Sequence, residues 1–378
     1  MQLTKYKLGD LIVQRREKNK DYDLPIRGVS REGFIKPKVE EADTSIYNVF
    51  YKNDFVFNPA RMELNSIALN LELDKALCSS LYEVFYVKDE NVVLPEFLNL
   101  HIKRDEFARH CDYIGLGSAR EYCRFANIAE FDIKIPPIEV QREIVKADRQ
   151  IKRRIRLNEQ MIEKLEATAQ ALYRKMFVDG IDKENLPEGW RMGTLGEYAK
   201  VRSGYAFPSE WWQKEGIPVI KISNIVNNSI ITDECDCVSL TNSVFARNYI
   251  ANTGDIVIAM TGATLGKIAI VPQDGLLVNQ RVGLFDLGSN PLNGAPYLYW
   301  MLQQDDVQNE IVTVGGDSAQ ANVSNSNIEN IEIAMTEESY IEEFNKQGEV
   351  LLNKILLLRK GNSKLTELQS LLLAKMGQ

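Results

Sequence analysis

The stretch GDIVIAMTGATLGKIAIV at residues 254–271 runs a strand-like segment into a glycine turn and a lysine, Gly266-Lys267. That order is close to a phosphate-cradling loop. Such a loop needs G-x-x-x-x-G-K followed by Ser or Thr. Here Ile268 follows the lysine, and Thr261 stands where the first glycine belongs. The stretch therefore reads as two strands joined by a turn. Other candidate chemistry also fails on composition. Asn58-Pro59-Ala60-Arg61 approaches the N/D-P-P-aromatic loop that grips a flipped base, but lacks the second proline and the aromatic. Asp132-Ile133-Lys134, with Asp112 upstream, has the residue types of a nuclease centre. The corresponding place 200 residues on is Glu332-Ile333-Ala334, without the lysine. The only histidines are His101 and His110, and Cys235-x-Cys237 has no histidine near it in sequence. A zinc site takes four closely arranged nitrogen or sulfur ligands. No catalytic set and no metal site is assigned.

The chain has 378 residues, 44% of them hydrophobic and 26% charged, enough for about two to three domains of ~150 residues each. Five cysteines, Cys78, Cys111, Cys123, Cys235 and Cys237, at irregular spacing argue against a disulfide framework. The net charge of -8 counts against a free-standing nucleic-acid binder, though not against local basic patches or a basic partner. No apolar stretch approaches the ~20 residues that span a bilayer, and the first residues lack an apolar signal core. A cytoplasmic protein without membrane contact is expected.

The chain also resembles itself. IEKLEATAQALYRKM (162–176) falls on NSKLTELQSLLLAKM (362–376) at an offset of 200. Ser118-Ala119, Ile128 and Ile133 meet Ser318-Ala319, Ile328 and Ile333 at the same offset. NDFVFNPARMELNSIALN (53–70) meets GDIVIAMTGATLGKIAIV at an offset of 201, matching Asp54, Val56, Leu64, Ile67 and Ala68. The repeat unit is a variable globular part followed by a long helical part. In the globular parts FVF, IALNL, YEVFYV, IPVIKI, DIVIAM and KIAIV read as strands. Residues 95–110 and 296–311 carry apolar positions at spacings of three and four and read as short helices.

Glu139 to Met176 contains neither glycine nor proline, and Pro136-Pro137 precedes it. Ile144, Ile151, Ile155, Ile162, Leu165 and Leu172 mark a heptad-like seam; Leu351, Ile355, Leu358, Leu365 and Leu372 mark its counterpart. The first helix should reach about 57 Å, with Asn158 and Asn362 as polar residues that fix register. The expected division is a globular part at 1–137, a spacer helix at 138–180, a second globular part at 181–335 and a second spacer helix at 336–378. If the second helix packs on the first it must run back along it. The expected fold is thus α+β: two mixed, mainly β domains separated by two long antiparallel coiled-coil helices, with an internal pseudo-two-fold repeat. Duplex DNA, with a dyad of its own, suits such a chain. A coiled-coil scaffold whose β domains bind protein is the competing reading.

The arrangement resembles the specificity subunit of type I restriction–modification enzymes. The resemblance covers nearly the whole chain. It is carried by LPEGWRMGTLGEYAKVRSGYAFPSEWW (186–212), GIPVIKISNI (216–225), GDIVIAMTGATLGKIAIV, LLVNQRVGLF (276–285) and IPPIEVQREIVKADRQI (135–151). The first globular part departs further from the pattern, with Asn58-Pro59-Ala60-Arg61 against Ala259-Met260-Thr261-Gly262. The resemblance implies two target recognition domains, each reading half of a bipartite site in double-stranded DNA. It implies helices that set the gap and dock two methyltransferase subunits, which bind S-adenosylmethionine, while separate motor subunits cleave. This chain would itself hold no cofactor and perform no chemistry.

DNA contact calls for loop residues that hold phosphates and read base edges. In the second domain the candidates are Lys221, Asn224, Thr261, Thr264, Lys267, Gln280, Arg281, Gln320 and Asn322. In the first they are Arg27, Ser30, Arg31, Lys36, Arg61, Asn65 and Arg120. The basic run Arg149, Lys152, Arg153, Arg154 and Arg156 reads as a solvated helix face that could also track phosphate or meet an acidic partner.

Overall fold

A computed structural model of the chain describes residues 3–20, 23–37, 43–115, 122–316 and 321–376. It divides into two compact units. One is Met1–Ile155 together with Lys364–Gln378; the other is Arg156–Ser363. The unit boundaries fall inside both long helices, so each unit contains pieces of both rather than a globular part alone.

The first unit is built on a four-stranded antiparallel sheet in the order Ile12–Arg15, Glu83–Val87, Phe55–Phe57, Ile67–Leu69. FVF is buried at every position because both faces of the sheet are covered. Successive side chains point to opposite faces. Phe55 and Phe57 pack with Phe85 and Ile67 toward the helices Pro95–Ile102 and Asp105–Gly115, while Val56, Ala68 and Val84 join Phe50 and Ala76 on the other side. A separate ladder pairs Thr4–Lys7 with Asp132–Ile135.

The second unit contains a four-stranded antiparallel sheet in the order Lys200–Ser203, Val282–Asp286, Ile256–Ala259, Ile268–Ile270. Ile256, Ile258, Ile268 and Ile270 face a core with Tyr297 and Trp300 from the helix Ala295–Met301; Val257, Ala259 and Ala269 face the other way. A second four-stranded sheet adds one parallel pair, Val219 beside Leu277. Arg191–Thr194 pairs with Glu332–Met335.

The long helices are Ile138–Phe177 and Glu338–Lys375. Within the second unit, Asn158 Nδ2 donates to Asn362 Oδ1 at 2.7 Å. Glu166 accepts from the Tyr299 hydroxyl at 2.9 Å and from Arg359 at 3.1 Å. Within the first unit, Gln369 donates to Asp148 at 2.6 Å. Of the expected seam, Ile151, Ile355 and Leu358 are buried; Ile144, Ile155, Ile162, Leu165, Leu172, Leu351, Leu365 and Leu372 are half-buried. Val145, Ala169, Tyr173, Phe177, Leu352 and Leu356 are buried as well. The strict heptad is too narrow because the helices also pack on globular layers. Tyr173 and Phe177 meet Tyr297 and Phe344 edge-on or tilted, at 5.0–5.7 Å between ring centroids.

Asn158 is buried, so removing its partner strands an amide. Asn362→Leu should cost about 1–3 kcal/mol, and Asn158→Leu added to it should restore most of that loss. Urea unfolding of the single and double variants checks this; a single variant as stable as the parent would refute it.

His101 sits in the first core against Phe97 and Phe131, 3% exposed. Burial, and then the neighbouring Arg104, push its pKa from 6.5 down to about 4. The unfolded chain binds this proton near 6.5 and the folded chain only near 4. Stability should therefore fall as pH drops through that window, by up to about 3 kcal/mol from this group. His101→Phe should flatten this part of the pH dependence in urea titrations at pH 7 and pH 5.

Candidate nucleic-acid interface

The opening motif resolves into two strands, Ile256–Ala259 and Ile268–Ile270, joined by a 3₁₀ turn at Gly262–Thr264. Gly266 has φ +81° and buries its backbone at the end of that turn. In the first unit Phe55–Phe57 and Ile67–Leu69 are joined by the 3₁₀ segment Pro59–Leu64, and Asn65 ends it with φ +53°. Glycine and asparagine are the residues that enter this left-handed region most readily. Gly266 thus serves the backbone, not a nucleotide. Asn58 Oδ1 accepts from Ala60 N at 3.1 Å, so the Asn-Pro pair caps the same turn.

A second segment lies against each turn. In the first unit Cys123 N donates to Pro59 O at 3.0 Å. In the second, Val323 N donates to Met260 O at 3.0 Å, and Gly262 N donates to Ala321 O at 2.9 Å. Each segment then enters a five-residue helix, Phe125–Ala129 or Asn325–Glu329. Turn and segment together wall a cleft.

The cleft of the first unit has a volume of about 540 Å³. Arg27, Lys36, Arg61 and Arg124 line it, with Tyr47, Tyr82 and Tyr122. Lys36 and Arg61 are exposed, and neither side chain has a hydrogen-bond or ion-pair partner among the described residues. Arg124 is fixed. Its guanidinium lies 5.7 Å from the Tyr122 ring centroid and 3.6 Å from Glu83 Oε1. Glu83 is itself held by Gln14 Nε2 at 3.0 Å and Phe125 N at 2.8 Å. The cleft of the second unit measures about 500 Å³ and is lined by Ser203, Gln280, Arg281, Asn322, Ser324, Asn325 and Ser326. Here amides and hydroxyls dominate, and among the described residues Arg281 is the one cation of the lining.

The structure thus brings Arg27, Lys36 and Arg61 together, and likewise Gln280, Arg281 and Asn322. Ser30 and Arg31 lie in the adjoining turn, where Ser30 Oγ bonds Glu32 and Gly33 O. Thr261, Thr264 and Lys267 belong to the 3₁₀ turn; Lys267 is exposed, and Thr264 Oγ1 donates to Thr261 O. Three candidates are engaged inside the fold. Asn65 is 8% exposed and donates to Ile102 O. Asn224 is 4% exposed, accepting from Lys221 N and donating to Glu234 O. Lys221 pairs with Asp236 at 2.6 Å and rests 3.6 Å from the Trp212 ring centroid. Turn formation has first claim on these polar groups. Arg120 and Gln320 lie outside the described residues.

Sequence reasoning missed Tyr122, Arg124, Ser203, Ser324, Asn325 and Ser326. The match of Ile128 with Ile328 was the available signal, since the residues just before each isoleucine enter the clefts.

Asp132 pairs with Lys5 at 3.0 Å and Lys7 at 3.1 Å, and these lysines hold its carboxyl below the usual range. All five cysteines are buried and free, and no metal-binding group of His, Cys, Asp and Glu occurs among the described residues. Among those residues no helix is long and apolar enough to cross a membrane. On the first long helix, Arg149 pairs with Glu96 and Lys152 with Asp148, whereas Arg153, Arg154 and Arg156 are exposed.

Each unit thus presents a cleft whose walls carry hydrogen-bonding and cationic side chains. The family described as the type I restriction modification DNA specificity domain matches residues 4–167 and 187–336, and the chain belongs to that family as a specificity subunit. It is similar to the specificity subunit of type I restriction enzyme HindI of Haemophilus influenzae, 22% identical across 81% of this chain and 81% of that protein. It also resembles the EcoAI specificity subunit of Escherichia coli, 32% identical over 123 residues, which are 31% of this chain and 20% of that protein. The match to the MjaVIII specificity subunit of Methanocaldococcus jannaschii likewise spans under half of that protein, 45%. The crystal structure of a type I restriction–modification S subunit from M. genitalium covers 100% of this chain and 96% of its own, with a TM-score of 0.59 and 16% identity. At that identity the likeness is one of fold.

Proposed function

We propose that this subunit reads a bipartite site in double-stranded DNA, one half with each cleft, and performs no chemistry itself. The long helices form an antiparallel coiled-coil spacer that sets the gap between the halves. The two units are an internal repeat with approximate two-fold symmetry, and two methyltransferase subunits dock on the chain. Those subunits carry S-adenosylmethionine and modify adenine; motor subunits join them for cleavage, and the complex works in the cytoplasm.

One observation carries the reading. The same strand–turn–strand and the same backbone bond, Cys123 to Pro59 and Val323 to Met260, frame a cleft in each unit, while the polar and cationic side chains on the walls differ. A constant frame with changing polar walls is what half-site readers require. The scaffold reading accounts for the helices but not for Lys36 and Arg61, exposed at the first cleft and without a side-chain partner among the described residues.

The test is reconstitution of the full chain with its methyltransferase subunits, followed by sequencing of methylated adenines. A gapped, two-part motif is expected. Exchange of residues 190–330 for another recognition domain should change one part only. A random pattern, or one unaltered by the exchange, would sink the proposal.

A further inference from the structure

Residues 122–124 and 322–324 occupy the same station in the two units. The middle residue of each bonds the turn, Cys123 to Pro59 O and Val323 to Met260 O, both at 3.0 Å. The next residue opens a five-residue helix, and in each an asparagine at the third helical position, Asn127 or Asn327, accepts from its backbone N–H at 2.9 or 3.1 Å. The flanking side chains face the clefts. Backbone and caps agree, yet the chemistry on display does not. The first unit presents Tyr122 and Arg124, the second Asn322 and Ser324.

We propose that Arg124 and Asn322 are the specificity-determining residues, Arg124 reading a guanine in one half-site and Asn322 an adenine in the other. This assignment rests on the half-site reading above. A guanidinium offers only donors and matches the two acceptors O6 and N7 of guanine. A carboxamide offers a donor and an acceptor and matches the N6 and N7 edge of adenine. Orientation separates base readers from phosphate contacts. The Arg124 guanidinium lies 5.7 Å from the Tyr122 ring centroid and 3.6 Å from the carboxylate of Glu83, which Gln14 and Phe125 hold in place. Among the described residues Arg27, Lys36 and Arg61 have no acidic group beside them, and they suit the phosphates around the cleft. Asn322 is fixed through its backbone, which donates to Gly315 O and bridges to Thr261, while its exposed amide has no hydrogen-bond partner among the described residues.

The experiment uses the full chain with its methyltransferase subunits acting on a randomised DNA library, read out by sequencing modified adenines. Arg124→Ala should lower the preference for one G·C pair by about tenfold or more and leave the other half of the motif intact. Asn322→Ala should do the same for one A·T pair in the opposite half. The untouched half reports in each case that the variant is folded and assembled. Relaxation of both variants in one half, relaxation at the opposite kind of base pair, or a uniform fall in methylation with the motif unchanged would overturn the assignment while leaving half-site reading in place. A parent complex with no two-part motif would overturn both.

Discussion

Neutralising the first cleft, with Arg27, Lys36 and Arg61 all changed to glutamine, should weaken DNA binding by the assembled complex by about 10²-fold near 0.1 M salt. Counterion release sets the size of the effect. Each phosphate contact adds about 0.9 to the slope of log affinity against log salt, so three lost contacts should flatten it by between two and three. The chain's net charge of -8 supplies no general attraction to DNA, which leaves local cations to do the work. Lys36 and Arg61 are exposed and without a side-chain partner among the described residues, so their loss should not unfold the first unit. The motif itself should persist, because phosphate contacts position without specifying. Binding measured at several salt concentrations decides the matter; an unchanged slope would remove these residues from the interface.

The second large effect concerns stability. Gly348 lies inside the helix Glu338–Lys375, where alanine is normally the better residue by about 1 kcal/mol. Here a Cβ would stand 2.6 Å from Pro296 Cβ and 3.0 Å from Trp300 Cζ3. Neither neighbour can give way easily. Pro296 is a rigid ring in the first turn of its helix, and Trp300 is fully buried with its indole N–H directed to Glu166. Overpacking typically costs about 1–3 kcal/mol, so the clash should outweigh the propensity gain. Gly348→Ala should be net destabilising, and Gly348→Leu should lose about 3 kcal/mol or more. Thermal unfolding that finds Gly348→Ala more stable than the parent would show that the helix does not pack on Pro296 as described.

Gly348 also marks where sequence reading stops. In a heptad pattern it is merely a gap in an apolar seam. Its purpose appears only once a second layer, the helix Ala295–Met301, is in place. The strands FVF and DIVIAM were legible because an apolar run bounded by turn residues has few other solutions. The long helices were legible because nothing between Glu139 and Met176 can stop one. Cleft residues were read unevenly. Arg27, Lys36, Arg61, Gln280, Arg281 and Asn322 advertise themselves as polar residues in turns. Asn65 and Asn224 look the same in sequence, but their amides are committed to the backbone. Arg124 escaped notice because its placement depends on a bond from Cys123 to Pro59, a contact between residues far apart in the chain.

The first unit takes in the segment from Lys364 onward, and Met376 is 1% exposed within the same core as Phe97 and Ile133. The second unit is continuous in sequence, its residues falling between the two segments of the first. During synthesis the usual order, earlier domain first, is therefore reversed at the end. The second unit has all its residues once Ser363 has emerged, whereas the first must wait, its core open, for thirteen further residues to reach Met376. The half of the protein begun first is the half finished last.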